Sequence, residues 1–400
     1  MLQPFRRPSM SLSSAILLAS IAGCSTVPER QPLPAELSDR AVIPGIPEAR
    51  FWGDEWPAYS RELVQSLKEE DVRSLYPAVY GIPHHYLAIS GGGPDGAYGA
   101  GLLAGWTAAG TRPQFTMVTG VSTGALTAPF AFLGPDYDAL LKRVYTTTKT
   151  EKIIRKRALL SVPFGDSAVD TAPLRALIAE LVDDNVIRAI AQESRKGRQL
   201  FIGTMNLDAG RAVIWNIGNI AESQHPEKKG LIHDIMLASA SIPVAFPPVM
   251  MSVEADGKAF DELHVDGGTG AQVFVYPAAV DWNTLLNLLR VPEPPNVYVI
   301  RNSPIRPEYQ TTERDIVSIA GRSISSLIRT QGIGDLYQIY IICQRDGSKY
   351  NLAYIPADFD VESSEPFDPV YMSALYDLGY QKGLSGKAWQ HEPPGYVSGP

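Results

Sequence analysis

An α/β fold built on a parallel sheet is what the sequence predicts, and three neighbouring features predict it. Tyr86-Leu87-Ala88-Ile89 reads as a buried strand, a glycine turn and a helical stretch over 97–109 follow it, and 115–119 reads as a second strand. Strand, turn, helix and strand form a βαβ unit, whose strands run parallel and whose crossover is right-handed. The 400 residues, 45% hydrophobic and 20% charged, are enough to bury a large core and too apolar for intrinsic disorder.

The remaining segments divide the chain. Arg6 and Arg7 precede the apolar stretch Ala15-Ile16-Leu17-Leu18-Ala19-Ser20-Ile21, which runs into Ala22-Gly23 and Cys24. A basic start, a short apolar run and small residues describe an export signal over 1–23, and the run is too short to span a bilayer. Ile21-Ala22-Gly23-Cys24 is similar to the bacterial lipobox, after which the cysteine is lipidated; an ordinary cleaved signal is the alternative. Ser25 after that cysteine favours the outer membrane in lipoproteins of this kind, so the expected location is exported and lipid-anchored. Residues 24–50 carry Pro28, Pro32, Pro34, Pro44 and Pro47 and read as an extended tether.

From 51 to 400 the sequence reads as one domain. Residues 60–74 look like one amphipathic helix with Leu63, Val64 and Leu67 on its apolar face. Thr171-Ala172-Pro173-Leu174 starts another, with Leu177, Ile178 and Leu181. A strand is expected over 260–265 and a further one over 297–300, with helical patterns near 316–328 and 370–378.

Composition excludes several functions. With 35 basic against 43 acidic side chains and a net charge near −8, the chain lacks the basic surplus that nucleic-acid binding requires. The two cysteines are Cys24 and Cys343, so lipidation of the first leaves no intramolecular disulfide. None of the six histidines has metal-site spacing, and neither metal nor cofactor is expected.

The loop Ser90-Gly91-Gly92-Gly93-Pro94-Asp95-Gly96 fits G-x-G-x-x-G, the dinucleotide fingerprint. That fingerprint wants an acid about 20 residues on, yet after Asp95 the next one is Asp136. No Gly-Lys-Ser/Thr follows either, so a phosphate loop fails as well. Left over is a row of unobstructed backbone N–H groups at a helix start, suited to stabilising an anion. A tight turn that merely needs glycine is the plainer reading.

Gly120-Val121-Ser122-Thr123-Gly124 lies between the second strand and an apolar helical run over 125–133. G-x-S-x-G at such a junction is a nucleophile elbow, which turns the chain sharply and stands the serine hydroxyl above the sheet. Ser122 is therefore the candidate nucleophile. It needs a base. In the order Ser, Asp, His the available histidine is His391, in a Pro/Gly-containing tail, while His84, His85, His225, His233 and His264 suit structural roles. Asp266, delivered by the 260–265 strand into the turn Asp266-Gly267-Gly268, can act directly if it bonds the serine and is partly desolvated; an ordinary Asp-Gly turn is the alternative. Lys152, Arg155, Lys156 and Arg157 form a basic cluster, read as a solvated helix face or a contact for phosphate head groups.

The glycine loop, the 120–124 elbow and Asp266-Gly267-Gly268, in that order, resemble the patatin-like phospholipase family. The block Ala238-Ser239-Ala240-Ser241-Ile242-Pro243-Val244-Ala245-Phe246-Pro247-Pro248 and the helix start at Thr171 are also similar, and the resemblance covers about 86–275. It implies a three-layer α/β/α fold, mostly parallel, with helical additions at both ends. It also implies a Ser122–Asp266 dyad cleaving phospholipid or lysophospholipid acyl esters, with the N–H groups of Gly91, Gly92 and Gly93 holding the oxyanion. Pro94-Asp95 stands where many relatives carry Arg or Lys, which leaves a neutral or zwitterionic head group as suitable as an anionic one. A Ser-His-Asp esterase, a lipid-binding lipoprotein without catalysis and a nucleotide-binding protein are the competing readings.

Overall fold

The computed structural model describes residues 30–156, 169–306 and 309–397; Cys24 and the expected signal lie outside them. The chain enters through β1 (Arg50–Trp52) and two short helices, α1 (Ala58–Ser66) and α2 (Glu69–Leu75). The expected βαβ unit follows as β2 (His85–Ile89), α3 (Gly96–Ala108) and β3 (Met117–Val121). Next come α4 (Thr123–Leu133), α5 (Asp138–Thr147), a ribbon of β4 (Arg155–Lys156) and β5 (Val169–Asp170), and the helices α6 (Ala172–Leu181) and α7 (Asp184–Ser194). A hairpin of β6 (Gln199–Asn206) and β7 (Arg211–Asn216) leads to α8 (Ile217–Glu222) and α9 (Lys228–Ser239), then to a second hairpin, β8 (Val249–Ala255) and β9 (Lys258–Asp266). The chain ends with α10 (Trp282–Leu288), β10 (Asn296–Pro304), α11 (Ile316–Asp346), β11 (Lys349–Ile355) and α12 (Pro369–Leu384).

Nine strands form one mixed sheet in the order β1-β7-β6-β3-β2-β10-β11, with β9 hooked onto β6 and β8 onto β9. The centre, β6 to β11, is parallel, and the hairpins make the antiparallel flank. Alternation along β2 separates two apolar layers: Leu87 and Ile89 join α3, α4 and α12 on one face, while Tyr86 and Ala88 join Val273, Leu336 and Ile339 on the other. Helices thus cover both faces, giving the three-layer α/β/α architecture.

Helix α3 lies in backbone contact with α12. A Cβ on Gly101 would stand 2.0 Å from the Tyr376 carbonyl oxygen, and one on Gly379 would stand 2.2 Å from that of Tyr98. Gly105 and Gly383 complete the same close seam one turn along. This matters to the site because α3 begins where the glycine loop ends.

Several expectations need correction. The 60–74 helix is two helices: Leu67 is extended, and Asp71 accepts the Lys68 N–H at 3.3 Å. The acids Glu69, Glu70 and Asp71 occupy the first turn of the new helix, where its dipole favours them. The 316–328 pattern continues as one 31-residue helix to Asp346. The tether expected over 24–50 is not free over its described part, 30–50. Val42 and Glu254 exchange backbone hydrogen bonds of 2.9 Å, Arg30 bonds Asp208 and Asp261, and Ile43 and Ile46 are buried. Its apolar residues and unpaired backbone find the edge of β8–β9, which outweighs the proline content. The basic cluster is not a helix face: Lys152 ends a 3-10 turn and Arg155-Lys156 pair with Val169-Asp170. Arg157 lies outside the described residues.

Candidate active site

The turn from β3 into α4 holds Ser122 at φ 56° and ψ −125°, a conformation that side chains rarely adopt. Glycine on both sides permits it. A Cβ on Gly120 would lie 2.4 Å from the Gly124 carbonyl oxygen, and one on Gly124 would lie 2.2 Å from that of Ile89.

Strand β6 explains how Asp266 reaches Ser122 across 144 positions of sequence. Gly203 pairs with Val121 in parallel, and the next residue, Thr204, pairs with Asp266 in antiparallel register. The other edge of β6 is taken by β7, so β3 and β9 meet end to end along one edge. The Ser122 side chain lies close enough to the Asp266 carboxylate to favour its charged form, and Oδ1 of Asp266 accepts the Gly268 N–H at 2.7 Å. Burial pushes the Asp266 pKa from 3.8 up to about 6, against the opposing pull of Ser122 and of the Gly268 N–H.

The glycine loop lies beside Ser122, where a Cβ on Gly91 would stand 3.0 Å from the serine Cβ. Its three amides are not equivalent, which corrects the expected trio: the Gly91 N–H is donated to the Gln272 carbonyl at 3.2 Å. Gly92 sits at φ 156°, ψ 1°, where a Cβ would fall 1.9 Å from the Asn302 carbonyl oxygen. Gly93, at φ 57°, borders open space. The amides of Gly92 and Gly93 donate to no group among the described residues, and they stand at the start of the 13-residue α3, whose dipole favours an anion there. Beside Gly93 and Thr123 opens a narrow apolar slot of about 60 Å³, walled by Leu126, Leu177 and Met236.

The sequence of residues 87–279 matches the model of the patatin-like phospholipase family. This segment is a patatin-like phospholipase domain. Lipid acyl hydrolysis is the general chemistry of such domains, and the matched segment contains Ser122, Asp266 and the glycine loop. Among solved structures, VipD from Legionella pneumophila is similar over 77% of this chain and 68% of its own, with 14% identity and a TM-score of 0.38. No curated protein matches.

Around the patatin-like site stand residues whose part the sequence did not show. The Ser239 hydroxyl accepts the Ser122 N–H at 2.9 Å and donates to the Gly203 carbonyl at 2.7 Å. The Ser241 carbonyl accepts the Asp266 N–H at 2.9 Å, so the block over 238–248 holds both residues of the pair by their backbones. Asn302, fully buried on β10, bonds Ser90 through its N–H and its amide group and accepts the Gly99 N–H at 3.0 Å. Asp335 on α11 accepts the Gln272 N–H at 2.7 Å, and Gln272 in turn holds Gly91. Tyr371 on α12 donates to Asp95 at 2.6 Å.

The histidines go elsewhere. His264 bonds Thr204 and Glu262, His84 bonds Tyr86 and the Val79 carbonyl, and His391 meets the Tyr350 carbonyl. None is bonded to Ser122 or Asp266 among the described residues. No group of His, Cys, Asp or Glu there could hold a metal ion, and no described helix is long and apolar enough to cross a membrane.

Proposed function

We propose that the protein is a serine acyl hydrolase cleaving fatty-acyl esters of phospholipids or lysophospholipids with a Ser122–Asp266 dyad. One observation carries this reading: consecutive residues of β6 hold the ends of β3 and β9, joining a strained serine to a buried carboxylate.

Asp266 takes the Ser122 proton as Oγ attacks the ester carbonyl. The carbonyl electron pair moves onto oxygen, and the Gly92 and Gly93 amides receive the oxyanion; a donor of this kind is worth about 3–4 kcal/mol in the transition state. Gly91, its amide engaged, positions the loop. Collapse expels the alcohol, which takes the proton back from Asp266, and water then releases the fatty acid by the same route. The apolar slot beside Gly93 suits an acyl chain.

Fatty-acid release from phospholipid, lysophospholipid, triglyceride and short p-nitrophenyl ester panels tests this. Ser122→Ala and Asp266→Asn should each abolish release with the fold retained; hydrolysis surviving both substitutions refutes the dyad. The proposed location is a bacterial membrane, with Cys24 carrying acyl chains. Five residues separate it from docked Arg30, a reach of about 20 Å, so the anchor would keep the domain close to the bilayer. Radiolabelled palmitate incorporation, lost in Cys24→Ala, checks it.

A further inference from the structure

A cavity of about 530 Å³ lies away from Ser122. It lies at the opposite ends of the strands, against Tyr86 of β2, Met117 of β3 and Phe201 of β6, whereas Ser122 and the glycine loop follow the carboxyl ends of β3 and β2. We propose that this cavity is a second lipid site, holding the acyl chain of a single-chain lipid whose head group carries an ammonium.

Its walls are mostly apolar and of three origins. The sheet supplies the floor. Trp282, stacked on Tyr276 at 3.9 Å between ring centroids, and Leu285 of α10 form one side. The roof is α1, with Leu63 and Val64, the extended Leu67, and α2, with Val72 and Leu75. Helix α1 buries none of its residues, and Leu63 remains 43% exposed although its apolar neighbours face inward. The amphipathic pattern that would normally seat a helix on a packed core here covers a void. A void of this size, lined by alkyl and aromatic groups, lies within the roughly 300–1,000 Å³ typical of small-molecule sites and takes an apolar occupant in preference to water.

Charge at the rim selects the head group. Glu48 and Glu222 both line the cavity, beside Tyr59 and Tyr76, and Arg195 is the cation on the same rim. The two carboxylates lie close enough to act on the tyrosine hydroxyls. Two carboxylates and two aromatic rings favour an ammonium and disfavour the bare carboxylate of a free fatty acid. The roof belongs to residues N-terminal to the matched segment 87–279, so this site is an addition to the patatin-like domain.

Titration calorimetry on the full chain carrying Ser122→Ala, which prevents turnover, tests the site with palmitoyl lysophosphatidylcholine below its micellar concentration. One molecule per chain beyond the one held at the reaction centre is expected, and its binding should be weakened at least about tenfold by Val64→Trp in the roof and by Leu285→Trp in the opposite wall. Palmitate should bind about fivefold more weakly, and Glu48→Gln with Glu222→Gln should remove that preference. No such binding, or binding unaffected by both tryptophans, overturns the site; palmitate binding as tightly overturns the head-group assignment. Short-ester hydrolysis by Val64→Trp and Leu285→Trp with Ser122 intact reports separately on folding and on the reaction centre.

Discussion

The Ser239 hydroxyl accepts the backbone N–H of Ser122 and donates its own hydrogen bond to the Gly203 carbonyl. One side chain thereby ties the strained elbow to the strand whose next residue, Thr204, pairs with Asp266. Ser239 is fully buried, so its removal leaves both a donor and an acceptor without partners. Ser239→Ala should cost about 1–3 kcal/mol in urea denaturation. It should also lower kcat on any ester by about 10- to 100-fold with little change in KM, because it displaces the nucleophile without touching the acyl slot. An unchanged kcat would show that the elbow holds itself.

In the proposed mechanism Asp266 couples activity to instability. Its carboxyl is raised from 3.8 to about 6 by burial, so the folded protein binds this proton more tightly than the unfolded chain does. Stability from this group is greatest at acid pH and falls as pH rises through that window, leaving a cost of roughly 3 kcal/mol at neutrality. Asp266→Asn removes the charge. Its Tm should exceed that of the natural protein at about pH 8, and the gap should close toward about pH 4. In the natural protein kcat/KM should fall with acid below about pH 6, as the base takes up its proton. A Tm difference that does not vary with pH would contradict the buried, titrating carboxylate.

What the sequence made legible is what chemistry confines to short spacings. The elbow, the glycine loop and Asp266 are local patterns, since a sharp turn and an open amide row each need glycine at fixed neighbours. Ser239, Asn302 and Asp335 are ordinary polar residues whose work depends on where β6, β10 and α11 pass, and no local spacing marks them. The occupied amide of Gly91 was hidden for the same reason, because Gln272 reaches it only through the fold. The β6–β7 hairpin, which carries the register that joins Ser122 to Asp266, was missed altogether. By contrast, the spacing of Gly101 with Gly105 and of Gly379 with Gly383 was present to be read as a close helix seam. The acids at 69–71 likewise marked a new helix start.

That seam makes its own prediction. Gly101 admits no side chain, since a Cβ would stand 2.0 Å from backbone of α12. Gly101→Val should force the helices apart, costing about 3 kcal/mol or more, and should move α3 and the amides in front of it. Activity should fall even below the melting transition. Substituting Gly110, where a Cβ meets nothing within 4 Å but φ is +70°, should cost only the backbone strain of about 1 kcal/mol and leave kcat unchanged. Equal losses in the two variants would show that the seam does not position the loop.

Asp335 ties α11 to the glycine loop through Gln272, and its charge acts on the buried guanidinium of Arg301. Arg301 is fully buried, and burial lowers its pKa to about 10, the Asp335 carboxylate opposing that shift. Asp335 accepts the N–H groups of Gln272 and Val273, and the Gln272 carbonyl holds Gly91. Asp335→Leu removes the counter-charge and strands the guanidinium, which should destabilise the protein by about 3–5 kcal/mol. Arg301→Met on that background should recover much of the loss, because the stranded charge, not the missing attraction, is the larger penalty. Stability and catalysis should then separate. The double variant regains its denaturation midpoint, yet Gln272 still lacks its anchor, so kcat stays low. A double variant as unstable as Asp335→Leu alone would place the cost in the lost backbone hydrogen bonds instead.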